Sequence, residues 1–391
     1  MRLIFLFVVV CNIAFGQQNL NQEINSLKDS VNFYRHSNPD KALNFGFEVL
    51  EIADFSNYTF DLIAVHSRIG EILYYRGLYS DAIGFYNETL KLFESLPMED
   101  RIEKNIINPP WVLLNIGNIY FTNKDYVKAA SKYNEALMNF KLFENTEKQN
   151  YGFTTIYDNL GSISEVKGDL ILAKEYYLKA YDIRKKNNKI EDLMFSEMHL
   201  LTLNMKQHNM FNVNKHLIEI ERLHNEGKNN FSGKDYKKSF ITRNYGYAYS
   251  HMGSYYLKIN KYEVAKEFFE AATEILSAYP SELPVLYSKI AECYLGLKEY
   301  DDAIFFANKN LDSIELNLFV KAKKNNYKVL EKVYQERGDF NNLINIKDSL
   351  LFIAKAMTAL NNSNKMSDLE TNLVLSKKRS ELNNSRIKYN T

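Results

Sequence analysis

The chain has 391 residues, 46% apolar, 25% charged and 14% aromatic, which excludes a disordered polymer and points to a folded protein. Its 49 basic residues stand against 48 acidic ones, which excludes the strong net charge of proteins that hold nucleic acid electrostatically. Only 15 Gly and 6 Pro occur beside 28 Tyr and 25 Phe, as expected of a nearly all-helical chain whose aromatics pack helix against helix.

The first residues read as an export signal. Arg2 gives a positive start, Leu3–Val10 is an unbroken apolar run, and Ala14-Phe15-Gly16 places small residues where a signal peptidase reads them, so cleavage is expected after Gly16. The run is too short to span a bilayer. A lipoprotein would use Cys11, but Val10 precedes it where a small residue is needed, so a lipid anchor is not expected. The mature chain, exported to the periplasm or secreted, then has balanced charge and one cysteine, Cys293. No internal disulfide can form, and Cys293, between Ala291 and Tyr294 on an apolar face, reads as a buried structural thiol.

From residue 17 to about 350 one pattern recurs. Its second helix first shows in Asn38-Pro39-Asp40-Lys41-Ala42, a capping Asn before Pro at the first helical position. A clean copy follows with Gly70, Tyr74, Gly77, Ala82 and Tyr86, then a connector over 95–110 containing Pro97, Pro109 and Pro110. Residues 110–137 show the unit best. Leu113, Ile116, Gly117 and Tyr120 make one helical stripe; Asn123, Lys124 and Asp125 turn the chain; Ala129, Tyr133 and Ala136 make the next stripe. Small residues alternate with aromatics, as close-packed helices require, and Gly117 and Ala129 are expected at the crossing of the two helices. A small-residue slot in the first helix marks successive units at Ser30, Gly70, Gly117, Gly161, Thr202, Gly253, Ala291 and Glu331. The fifth unit departs most, and the polar stretch 224–238 after it is expected to be a mobile loop or hinge.

This arrangement resembles the tetratricopeptide repeat, a helix–turn–helix unit stacked in arrays. The resemblance implies an all-α fold: a right-handed α-solenoid of about eight such units over 17–350. Beyond it, 351–391 reads as one long polar C-terminal helix with a sparse apolar face, Leu360, Leu369, Leu373 and Leu382: a solvated tail, or else a stalk that pairs in a homodimer.

Residues for catalysis are missing. There is no phosphate-binding glycine loop, since Gly227-Lys228 and Gly233-Lys234 lack its other members, and no zinc-helix or nucleophile-elbow motif. His199, His208, His216 and His224 are spaced eight or nine apart, which brings no two rings together on one helix. No enzyme activity, cofactor or metal is expected.

In stacked arrays of this family the first helix of each unit lines the inner wall. By helical phase the wall would present Tyr74, Trp111, Leu114, Asn118, Asp158, Ser162, Tyr247 and Ser254, aromatic and polar residues suited to a protein or peptide partner. Asn115 and Asn118 match the asparagines of the family's carboxylate clamp, but Leu114, Ser67 and Asp158 stand where its lysines would be, so that clamp is not expected. Finally, Asp348-Ser349-Leu350, Asp368-Leu369-Glu370-Thr371 and Lys377-Lys378 resemble the end of exported sensor regions in repeat-bearing histidine kinases and helix-turn-helix regulators. That resemblance implies a membrane-bound signalling partner. Two roles are therefore expected: a scaffold holding a protein or peptide, or a sensor module separated from its output domain.

Overall fold

In a computed structural model, which describes residues 2–53, 58–103, 108–142, 146–230, 234–309, 311, 316–355 and 358, one helix ending recurs seven times. A residue in the left-handed region closes the helix at Gly77, Lys124, Gly168, His208, Asn260, Lys298 and Gly338, with φ between 55° and 82°. At Lys124 the two bonds run from Lys124 N–H to Phe121 C=O and from Asp125 N–H to Tyr120 C=O, and the other six turns repeat them. These bonds satisfy carbonyls the helix leaves open, which offsets the roughly 1–2 kcal/mol that a side chain costs in this conformation. The next residue starts the following helix. Asp125, Asp169, Asn209 and Asp339 each accept a bond there from the N–H three residues on.

These turns, with the Asn38-capped start of the first unit, join eight helix hairpins among the described residues. The first helices are α1 (Arg2–Tyr34), α3 (Thr59–Tyr75), α6 (Asn108–Thr122), α8 (Thr146–Val166), α10 (Ile190–Lys206), α12 (Phe240–Lys258), α14 (Leu283–Leu297) and α16 (Leu316–Arg337). Their partners are α2 (Pro39–Ile52), α4 (Tyr79–Ser95), α7 (Tyr126–Phe140), α9 (Leu170–Asn187), α11 (Met210–Asn230), α13 (Tyr262–Ile275) and α15 (Tyr300–Asn308), with α17 over 340–355. The expected connector 95–110 includes a short helix, α5 (Met98–Glu103). No strand occurs among the described residues.

The described residues fall into two compact units, divided between Ile163 and Ser164. In the first, an apolar core runs from Ile24 and Val31 through Phe47 and Ile69 to Ile116 and Ile119. In the second, Met194, Leu201, Ile220 and Met252 form one cluster, and Phe269, Leu286 and Cys293 another. Within the units the hairpins interlock through a spacing of sixteen residues. A Cβ on Gly70 would stand 2.5 Å from the Tyr86 ring, one on Gly117 2.5 Å from Tyr133, and one on Gly253 2.8 Å from Phe269. The crossing expected to join Gly117 to Ala129 is therefore made with Tyr133, one turn further along; Ala129 is buried beside it.

Two further expectations are corrected. His208 closes the fifth hairpin seven residues after Leu201, the same interval that separates Gly117 from Lys124. Leu201, fully buried, therefore occupies the small-residue slot, while Thr202 is half-buried and its Oγ1 donates to the His199 carbonyl at 3.0 Å. The stretch 224–238, expected as a mobile loop or hinge, is helical at its described residues, 224–230 and 234–238, and 231–233 lie outside them. Its first seven residues complete α11, with Gly227 buried against Ile241, and Tyr236 O–H donates to the His224 carbonyl at 2.7 Å in a short 3-10 turn. The expected boundary at 350 falls within α17, which continues to 355. The tail expected beyond it lies, apart from 351–355 and 358, outside the described residues.

Candidate peptide-binding face

The polar residues of the first helices are not scattered. In the first unit the aromatics that fill the Gly70 and Gly117 slots, Tyr86 and Tyr133, each meet an asparagine of the first helices. Asn115 Nδ2 donates to Tyr86 Oη at 3.1 Å. Tyr133 O–H donates to Asn118 Oδ1 at 2.7 Å, and Asn159 Nδ2 donates to the same oxygen at 3.2 Å. Asn118 also bonds to Tyr74, opposing the rise in the Tyr74 pKa that burial and then the neighbouring Tyr79 and Tyr75 produce. Burial likewise raises the hydroxyls of Tyr86 and Tyr133, so both remain neutral donors or acceptors. The result is a fixed row of amides and phenols along α3, α6 and α8.

Asn115 and Asn159 sit two residues before Gly117 and Gly161. In the second unit that position carries His199, His251 and Lys289. His199 stacks on Tyr177 at 4.7 Å, with Phe195 edge-on at 4.7 Å. His251 is the exposed member of the row. Lys289 pairs with Glu292 at 2.9 Å.

The eight residues expected on the wall divide accordingly. Tyr74 and Asn118 belong to the polar row. Leu114 and Asp158 are buried, which removes them from it. Trp111 is half-buried, packed against Phe140 at 5.0 Å and Tyr151 at 5.6 Å. Ser162 turns its hydroxyl back to the Asp158 carbonyl at 3.0 Å. In the second unit Ser254 is exposed, and Tyr247 O–H donates to Glu282 at 2.8 Å, a carboxylate also held by Arg243 at 2.6 Å. Asn159, His199 and His251 were not singled out for the wall. Their shared offset from the small-residue slot is the signal that marks them. Among the described residues no group of three metal-ligating side chains converges.

The profile described as "Tetratricopeptide repeat" matches residues 154–187 and 246–275, which are largely the fourth and sixth hairpins. No curated protein matches the chain in sequence. Among solved structures, the chain is similar to a signal transduction ATPase with a tetratricopeptide repeat sensor from Pyrococcus horikoshii, at 15% identity and a TM-score of 0.55, covering 88% of this chain and 50% of that one. It thus spans half the length of that protein, and the likeness is one of fold. It is also similar to a Rap protein solved in complex with competence and sporulation factor (15% identity, TM-score 0.49, 95% and 98% covered). The apo quorum sensor NprR from B. thuringiensis is matched at 13% identity and a TM-score of 0.49, with 92% and 99% covered.

Proposed function

We propose that this chain, a tetratricopeptide-repeat protein, is a non-catalytic scaffold that holds a protein or peptide along its first helices. The observation that carries the reading is the asparagine–tyrosine row of the first unit. Asn115, Asn118 and Asn159 are fixed by Tyr86, Tyr133 and one another, so their amides are oriented before a ligand arrives. Amides held at repeating intervals suit an extended main chain, and binding then loses little side-chain freedom. Affinity capture with the purified chain tests this. Asn115→Ala with Asn159→Ala should lose the captured partner while helicity stays that of the parent; undiminished capture would remove the row from the binding site.

The same reading places the protein in the periplasm or outside the cell. The apolar run Leu3–Val10 and the small residues before Gln17 support export, and mass spectrometry of the mature protein should find Gln17 at its start. A second reading makes the array the sensor of a membrane-bound signalling partner, supported by the resemblance over 348–378. Crosslinking in cells should then recover a membrane protein; recovery of soluble partners alone counts against it.

A further inference from the structure

The outward rows of α9 and α11 differ from those of the other second helices. Counting three, seven and ten residues on from the left-handed turn residue, α9 carries Ile171, Glu175 and Leu178, and α11 carries Phe211, Lys215 and Ile218. The spacing of four and then three places each triplet on one helical stripe. Ile171 is 76% exposed, Phe211 82% and Ile218 66%. At the same positions α7 has Val127, Ser131 and Asn134, and α13 has three glutamates. Two large apolar residues flanking a charge are therefore a feature of these two helices, not of the repeat.

Both helices belong to the second compact unit and both pack on α10. Each follows or precedes α10 in an antiparallel pair, so they run parallel to one another, and their triplets lie at the same offsets from the turn residues Gly168 and His208. The charges at the centre are opposite, and both Glu175 and Lys215 are exposed. A two-fold axis along the helices, midway between the rows, would lay α9 of one copy over α11 of another. Ile171 then meets Phe211, Leu178 meets Ile218, and Glu175 meets Lys215, twice over.

We propose that this face joins two copies of the chain in a symmetric dimer. An unrelated apolar partner would need no acid on one row and base on the other at matched height; a second copy supplies that complement by symmetry. The footprint is small beside the roughly 800 Å² per partner of a standard interface, so dimerisation depends on concentration.

Sedimentation of the purified protein tests this. A monomer–dimer equilibrium is expected in the micromolar range, roughly, for an interface below standard size. Glu175→Lys and Lys215→Glu should each weaken it at least about tenfold with unchanged circular dichroism, and the double exchange should restore it. Phe211→Asp should leave only monomer. A wild-type chain that stays monomeric at several hundred micromolar would overturn the proposal, as would a dimer indifferent to these changes or a double exchange that fails to restore association.

Discussion

The ring of Tyr133 lies against the bare backbone of Gly117, sixteen residues earlier, so closely that a single added carbon would stand 2.5 Å from it. Tyr133 is thereby buried, and its hydroxyl emerges on the far face to reach Asn118. One contact thus joins the packing of the hairpin to the polar row that the function is assigned to. Gly117→Leu should overpack this slot and cost about 1–3 kcal/mol, read as a lower urea midpoint. A variant unfolding like the parent would refute the pairing.

Trp111 is part of the packing between α6, α7 and α8 rather than a free contact. Its ring meets Phe140, itself buried, and Tyr151. Trp111→Ala should therefore lower stability by about 1–3 kcal/mol. Any loss of partner capture should shrink once the variant is compared at a temperature where it is fully folded.

The ring of His224 stacks on Tyr245 at 4.1 Å, and burial followed by Lys228 lowers its pKa below the ordinary value of 6.5. The folded chain therefore binds this proton less readily than the unfolded one. The stabilising effect of a neutral His224 is complete above the unfolded value and is lost as pH falls from there toward the folded one. The urea midpoint should be lower at pH 5.5 than at pH 7.5, and His224→Gln should narrow that difference. An equal or larger difference in the variant would exclude His224 as its source.

Cys293 is fully buried in α14, and burial pushes its thiol up to about 12. In native protein at pH 8 it should resist a thiol reagent that reacts at once in denaturant. Fast labelling of the native protein would show that α14 opens locally.

Much of this architecture was legible in the residues themselves. Alternating slots and aromatics at helical spacing identify the eight hairpins, because burial at 3.6-residue intervals leaves a direct mark on composition. The fifth hairpin was misplaced by one residue because Leu201 fills a slot where a small residue was sought, and only the turn at His208 reveals the register. The stretch 224–238 looked like a loop because its polar residues are those of a helix surface, and a single buried Gly227 holds it down.

The amino-acid order by itself determined the local units: where each helix starts, which residue closes it, and which stripe it buries, since capping and periodicity act over a few neighbouring residues. Only the tertiary structure decided which polar residues stand free and which are spent inside. Leu114 and Asp158 share the phase of a wall residue, yet both are buried, and the asparagines become a row only when Tyr86 reaches Asn115 and Tyr133 and Asn159 meet on Asn118. Such contacts join residues tens of positions apart, and no periodicity within one helix encodes them.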